Sequence, residues 1–170
     1  MIRNSPMRLK ELFFPHVAVK ALVPKAAETA SRELDLNDLE ISFGLDFDQA
    51  GKTASAGVKI ATKDNTVEST NENGLYRVRI EAFANFDVVS PERTDAMAVY
   101  LRKFAAAATL IGAAREQIAL MTARGPWGVV MLPIISMDRV VGAPPKNADP
   151  PPIAVKRASP RRKTAAALPR

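Results

Sequence analysis

Apolar and polar residues alternate strictly between positions 39 and 48. Every odd position is apolar, and every even position is polar or glycine. A period of two places alternate side chains on opposite faces of a strand, so this segment is predicted to be a strand with one buried face. The turn-forming residues 48–52 follow, and the alternation then resumes from Ala54 to Ile60. The two segments together predict a β-hairpin.

Two further segments complete the predicted sheet. After a polar loop, residues 64–74, a third alternation runs from Tyr76 to Val88. An earlier segment, Leu9 to Val23, is rich in Phe and Val and is predicted to be the first strand. It contains Pro15, which favours an edge strand or a bulge. Four strands with polar turns predict an antiparallel meander, whose apolar face must be covered by another element.

A helical pattern with very few charges supplies that cover. Ser90-Pro91-Glu92 has the residues that begin a helix, and Gly125-Pro126 has those that end one. Gly112 and the alanines at 105–108 allow either a close approach of another backbone or a break in the helix. A helix this apolar is predicted to pack at a subunit interface. The predicted interface residues are Phe104, Ala108, Ile111, Gly112, Ile118 and Met121.

The order of elements defines the fold class. Strands that precede a helix, without βαβ alternation, indicate an α+β fold. We therefore expect a four-stranded antiparallel sheet followed by one long or broken helix. A length of 170 residues with 47% hydrophobic content fits one domain with a core, followed by a tail.

The net charge of +6 lies entirely beyond Val141. Residues 142–170 carry seven basic residues against one acid, and seven of the 13 prolines. Proline and basic residues build no core, so we predict a folded domain over 1–141 and a disordered tail over 142–170. The segment Ser159 to Lys163 fits either phosphate contact, on nucleic acid, ribosome or an anionic membrane, or a solubilising tail with no fixed partner.

Catalytic chemistry finds little support in the sequence. The chain has no cysteine, and its one histidine, His16, is expected to be structural. Asp46 and Asp48 share a strand face and suit solubility better than cation binding. No glycine-rich phosphate loop is present. We expect no enzyme activity, cofactor or metal. The absence of a signal-like N-terminus and of a long charge-free run predicts a soluble, cytoplasmic protein.

A set of short motifs resembles the SecB family of export chaperones. The motifs are Ala114-Arg115-Glu116 in the helix, Thr122-Ala123-Arg124-Gly125-Pro126-Trp127 after it, and Leu132-Pro133-Ile134 beyond. The specific motifs lie between Ala114 and Ser136, whereas the order of elements agrees from about Leu9 to Val141.

The resemblance implies a homotetramer, arranged as a dimer of dimers, that holds unfolded polypeptide in apolar surface grooves without ATP. By position, the implied client-binding residues are Phe86, Val88, Val89, Trp127, Val129, Met131, Ile134 and Met137. Members of this family dock a translocase motor on an acidic sheet surface, whereas this domain is neutral and its tail is basic. That difference puts the motor partnership in doubt and leaves export or a toxin–antitoxin system as possible contexts.

An alternative function rests on the tail. In that hypothesis the folded domain only oligomerises, and the basic tail binds nucleic acid or acts as an adaptor. Salt-sensitive nucleic-acid binding that is lost on truncation at Val141 would favour it. Aggregation suppression by the domain would favour the chaperone.

Overall fold

Residues 5–23, 33–63 and 75–145 of the computed structural model are described below. They form a four-stranded antiparallel sheet and one long helix, which confirms the predicted α+β class. The strands are β1 (Met7–Ala21), β2 (Leu39–Phe47), β3 (Thr53–Thr62) and β4 (Tyr76–Val88), and the helices are α1 (Ala96–Ala123) and the short α2 (Met137–Val141).

The strand order in the sheet is β1-β4-β3-β2. Strands β2, β3 and β4 form the predicted meander, with Gly44 opposite Gly57 and Gly57 opposite Phe83. The prediction that β1 continues this meander is wrong, because β1 pairs with β4 and not with β2. Period-two alternation identifies the buried face of a strand but carries no information about its neighbour.

Strand β1 lies at an edge of the sheet and is interrupted by two register shifts. One falls between Leu9 and Glu11, and the other lies between Phe13 and His16, where Pro15 sits. Proline cannot donate a ladder hydrogen bond, so an edge strand with an irregularity accommodates it. Both expectations raised by Pro15 are confirmed.

The core lies between one face of the sheet and α1. Alternate residues of β3 and β4 are buried together with one side of the helix. The largest fully buried side chains are Phe86, Ile60, Ile80, Leu110, Ile118, Leu132, Val58, Val130 and Thr122. Burying a side chain such as Phe or Ile stabilises the fold by about 1.5 to 3 kcal/mol relative to exposure. The opposite, outer face of the sheet is not covered by α1.

Helix α1 is continuous over 28 residues and begins later than predicted. Its N-cap is Asp95, whose carboxylate accepts a hydrogen bond from the Ala98 N–H at 2.9 Å. Ser90 instead has a φ of 62° and lies in a turn. The buried Arg102 donates to the Ser90 carbonyl at 2.8 Å and to the Arg93 carbonyl at 2.6 Å. The Ser90 and Arg93 carbonyls therefore accept hydrogen bonds from the Arg102 guanidinium, and the helix begins only at Ala96.

The length and composition of α1 are sufficient to cross a bilayer, and 33% of its most apolar stretch is buried against the rest of the protein. The sequence-based expectation concerned a run free of charge, whereas α1 reaches this hydropathy with charged residues such as Arg115 and Glu116 in it. The core helix of a soluble protein meets the same criterion, so this feature by itself does not identify a membrane span.

The chain returns along α1 after the helix ends. Residues 124–136 lead from the C-terminus of α1 to α2, where the Asp138 carboxylate accepts a hydrogen bond from the Tyr100 hydroxyl at 3.1 Å. Tyr100 lies in the first turns of α1, so the returning segment spans most of the helix length. Helix α2 ends at Val141, the predicted domain boundary. The predicted tail lies outside the described residues from position 146 onward.

Candidate peptide-binding surface

The turn after α1 is fixed by Trp127 through two hydrogen bonds. The backbone N–H of Trp127 donates to the Tyr76 hydroxyl at 3.1 Å, and its indole N–H donates to the Leu22 carbonyl at 2.7 Å. Tyr76 begins β4, and Leu22 directly follows β1. The ring of Trp127 is half-buried. The indole joins the turn to the end of the sheet.

Thr122 links the last turn of α1 to the returning segment. Its hydroxyl donates to the Ile118 carbonyl at 2.9 Å and accepts a hydrogen bond from the Val130 N–H at 2.9 Å. The residue is fully buried, so its hydroxyl provides the partner that the buried Val130 N–H needs. This contact explains the threonine of the Thr-x-Arg-Gly-x-Trp motif.

Gly125 is required by a close approach of Tyr76. A Cβ at position 125 would collide with the Tyr76 hydroxyl oxygen and would lie 3.0 Å from its ring carbons. Gly125-Pro126 was expected to end the helix, and α1 does end at Ala123, but the φ of Gly125 is not positive. The left-handed glycine of this turn is Gly128, with a φ of 75°. The motif therefore encodes the packing of Tyr76 against the turn.

The segment that follows presents an extended apolar surface. Its residues alternate between core and solvent, with Val130, Leu132 and Ile135 buried. Val129 is 46% exposed and Ile134 is 82% exposed. Met131 is half-buried, and its carbonyl accepts a hydrogen bond from the Leu34 N–H at 3.2 Å. Met131 and Glu33 thereby form an isolated parallel β-bridge. The candidate peptide-binding surface is defined as Trp127, Val129, Met131 and Ile134.

Three predicted client-binding residues do not belong to this surface. Phe86 and Val88 are core residues, with 2% and 7% of their surface exposed. Their assignment is corrected, because inward positions of β4 face α1 and offer no accessible area. Val89 is 37% exposed but follows the last residue of β4, whereas Trp127 contacts the first. A strand of 13 residues separates these positions by about 40 Å.

Met137, the remaining predicted client residue, is half-buried in α2 against the core. Helix α2 packs near the first turns of α1, through Tyr100 and Asp138. Met137 therefore lies toward the far end of the returning segment from Trp127. It does not join the candidate peptide-binding surface.

The predicted interface residues of α1 divide between core and solvent. Ile111 and Ile118 are buried against the sheet, with 6% and 0% exposed, and their assignment to a subunit interface is corrected. Phe104, Ala108 and Gly112 are exposed and follow one another at four-residue spacing, which places them on one helix face. Leu101, three residues before Phe104, is 42% exposed and extends this stripe.

Met121 is exposed but lies on a different side of α1. It follows Gly112 by nine residues, which is two and a half helical turns. Its side chain therefore points away from the stripe of Leu101, Phe104, Ala108 and Gly112. Sequence spacing alone missed this division because the buried side of α1 shifts around the helix along its length.

The polar residues considered for chemistry have structural or exposed positions. His16, which was expected to have a structural role, is exposed on β1. Asp48 accepts hydrogen bonds from the N–H groups of Lys52 and Thr53 in the β2–β3 turn, and the Thr53 bond above all lowers its pKa. Within residues 5–23, 33–63 and 75–145, no three potential metal ligands cluster.

These features together define a sheet-and-helix protein of the SecB-like fold. The chain is similar to the structure of a SecB-like chaperone of Mycobacterium tuberculosis in complex with a ChAD peptide from the HigA1 antitoxin. The two share 16% identity with a TM-score of 0.50, over 77% of this chain and 91% of the other. At this identity the similarity establishes the fold alone.

A second solved structure with some similarity is a protein of unknown function from Streptococcus agalactiae. It shows 14% identity and a TM-score of 0.41, over 75% of this chain and 97% of the other. No protein-family model and no curated protein matches the chain.

Proposed function

We propose that this protein is an ATP-independent holdase that binds extended, apolar polypeptide segments on the surface formed by Trp127, Val129, Met131 and Ile134. The single observation that carries the proposal is the exposed apolar row after α1, whose backbone is held extended by Thr122 and Leu34. Exposed Val and Ile side chains with a nearby Met and Trp suit varied apolar clients, because these side chains offer contact area with little directional demand.

The SecB-like fold supports this proposal. The M. tuberculosis chaperone with this fold was solved with an antitoxin peptide, which makes a peptide the first ligand to try. We propose that the protein acts in the cytoplasm as a homotetramer, without a cofactor and without catalysis. A toxin–antitoxin client remains an alternative to an export client within this same proposal.

Aggregation of a chemically denatured model protein tests the function. We expect the full chain to suppress light scattering without ATP, and Val129→Ser/Ile134→Ser to lose most of that suppression. Both residues are exposed, so the fold should survive, as circular dichroism will check. Val89→Ser is the matched control, because Val89 is also exposed but lies at the other end of β4. Equal suppression by the double variant and the wild type would reject this surface, and no suppression by the wild type would reject the holdase.

A further inference from the structure

A depression with a bare floor lies on the outer face of the sheet, opposite α1. Gly44 and Gly57 pair across β2 and β3, and Phe83 lies next to them on β4. The ring of Phe83 covers Gly57, since a Cβ there would lie 2.7 Å from the ring, whereas a Cβ at Gly44 would meet nothing within 4 Å. The depression has a volume of about 460 Å³. It is thus open sheet surface with one aromatic wall.

Aromatic side chains extend that wall onto β1. Phe13 pairs with Phe83, and the two rings are nearly parallel, at 17°, with centroids 5.9 Å apart. They remain 49% and 43% exposed. Exposed, nearly parallel rings on neighbouring strands of a four-stranded antiparallel sheet form an aromatic platform on which further flat rings can stack.

Basic side chains gather beside the aromatic pair, toward the Tyr76 end of β4. A second depression, of about 300 Å³, is lined by Lys20, Lys59, Arg77 and Arg79, with Glu40 as its one acid. Lys59 lines both depressions. Lys59 follows Gly57 by two residues on the same face, a distance of about 7 Å along the strand. An anionic group bound there would lie beside a ring in the first depression.

The polar residues around the first depression favour a nucleobase over the side chains of an acidic peptide. The glycine floor is surrounded by polar residues, namely Ser42, Asp46 and Ser55. Glu81, two residues before Phe83 on β4, also lines the depression, and its carboxylate forms an ion pair with the Arg79 guanidinium at 3.3 Å. Asp46 and Glu81 would repel the side chains of an acidic peptide, whereas a nucleobase is neutral and carries N–H donors that carboxylates accept. At the other end of the face, Asp87 and Glu11 balance the charges of Arg8 and Lys10, and Lys10 pairs with Asp87 at 3.5 Å, so that end has no surplus of cations to attract phosphate.

We propose that this outer face of the sheet binds a short stretch of single-stranded nucleic acid. The site consists of the Phe13–Phe83 platform, the Gly44–Gly57 floor and the basic depression beside them. A base stacks at Phe83, and the adjoining phosphates contact Lys59, Lys20 and Arg79. The site lies on the side of the sheet opposite α1. It is independent of the proposed peptide-binding surface and of the basic tail.

Phe83→Trp provides a reporter that separates this face from the tail. Base stacking on the new indole quenches its fluorescence. The wild-type protein contains only Trp127, whose indole N–H is bonded to the Leu22 carbonyl, so its fluorescence gives the background signal to subtract. We expect an eight-nucleotide oligo(U) to quench the full-length Phe83→Trp protein in a salt-dependent manner, with free UMP quenching much less. Binding without quenching would place the nucleic acid on the tail and overturn the proposal, as would equal quenching by UMP. Quenching by an oligo-glutamate peptide but not by oligo(U) would assign the face to acidic peptides.

Two substitutions in the reporter background test the floor and the cations. Gly44→Val fills the open floor with a residue that favours strands, and we expect at least tenfold weaker quenching without loss of fold. Lys59→Gln should weaken binding and lower the salt slope by about 0.7. Arg8→Gln, on β1 at the opposite end of the sheet face, is the charge-matched control and should leave quenching unchanged. If Gly44→Val binds like its parent, the depression is not the site.

Discussion

At the residue scale, a few buried polar contacts decide how the chain leaves α1. Thr122, Tyr76 and Trp127 join three separate segments, the helix end, the start of β4 and the end of β1. Each contact satisfies a backbone group that the fold removes from water. The direction of the apolar segment after position 128 depends on them.

Thr122→Val tests this dependence. Valine keeps the shape of threonine but removes the hydroxyl, so the buried Val130 N–H loses its partner. We expect the free energy of unfolding to fall by about 1 to 3 kcal/mol, measured by urea denaturation. Thr122→Ser restores the hydroxyl at the expense of one methyl group and should recover the polar part of that loss. A Val variant as stable as the wild type would show that the hydroxyl contributes nothing.

At the element scale, the sequence determined most strand boundaries but fewer relationships between elements. Strand β4 was predicted from Tyr76 to Val88 and is observed there, because its alternation is long and uninterrupted. The pairing of β1 with β4 was not predictable, since pairing depends on the path of the chain between strands. The helix start was missed because a distant side chain, Arg102, holds the Ser90 carbonyl.

The candidate surface divides in the same way between predictable and unpredictable parts. Trp127 and Ile134 were suggested by the family resemblance, and both keep exposed surface in the structure, so their role in client binding stays a prediction. Phe86 and Ile118 could not be assigned correctly, because apolar residues at regular spacing look alike whether they face the core or a partner. The outer-face depression was missed entirely, since Gly44 and Gly57 are 13 residues apart and become neighbours only through pairing.

Acid should destabilise two element boundaries together. Asp95 caps α1 by accepting a hydrogen bond from the Ala98 N–H, and this bond is the main reason why the pKa of Asp95 is lowered. In the β2–β3 turn, the pKa of Asp48 is lowered in the same way, chiefly by the hydrogen bond from the Thr53 N–H. A carboxylate whose pKa is lower when folded stabilises the protein fully above its unfolded pKa, near 3.8, and loses that contribution as the pH falls through the folded pKa. We expect the Tm of the wild type to fall more steeply below about pH 4 than that of Asp48→Asn/Asp95→Asn. Parallel pH profiles would contradict this assignment.

At the scale of the whole molecule, α1 is covered on one side and leaves an apolar stripe on the other. Leu101 and Phe104 are large and exposed, and Ala108 and Gly112 are small enough for another backbone to approach. An exposed apolar stripe of this kind is typical of an interface between subunits. The stripe is narrower than the set of apolar residues that the sequence suggested.

Ala108→Glu places a charge in the middle of that stripe and tests the proposed tetramer. We expect light scattering to show an assembly smaller than that of the wild type, because a buried glutamate without a partner is strongly unfavourable. Lys103→Glu changes an exposed residue on a different face of α1 and should leave the assembly intact. A monomeric wild type would remove the basis for the tetramer.

The pairing of the first strand with the last has a consequence for synthesis on the ribosome. Ala21 must find Tyr76, which is made 55 residues later, and Met7 must find Val88, which is made 81 residues later. Contacts of such long range are slow to form, and the meander of β2 to β4 is local by comparison. Until β4 emerges, Leu12, Phe13 and their neighbours have no strand to pair with. The nascent chain of this protein therefore passes through a stage in which it resembles the unfolded segments that we propose it protects.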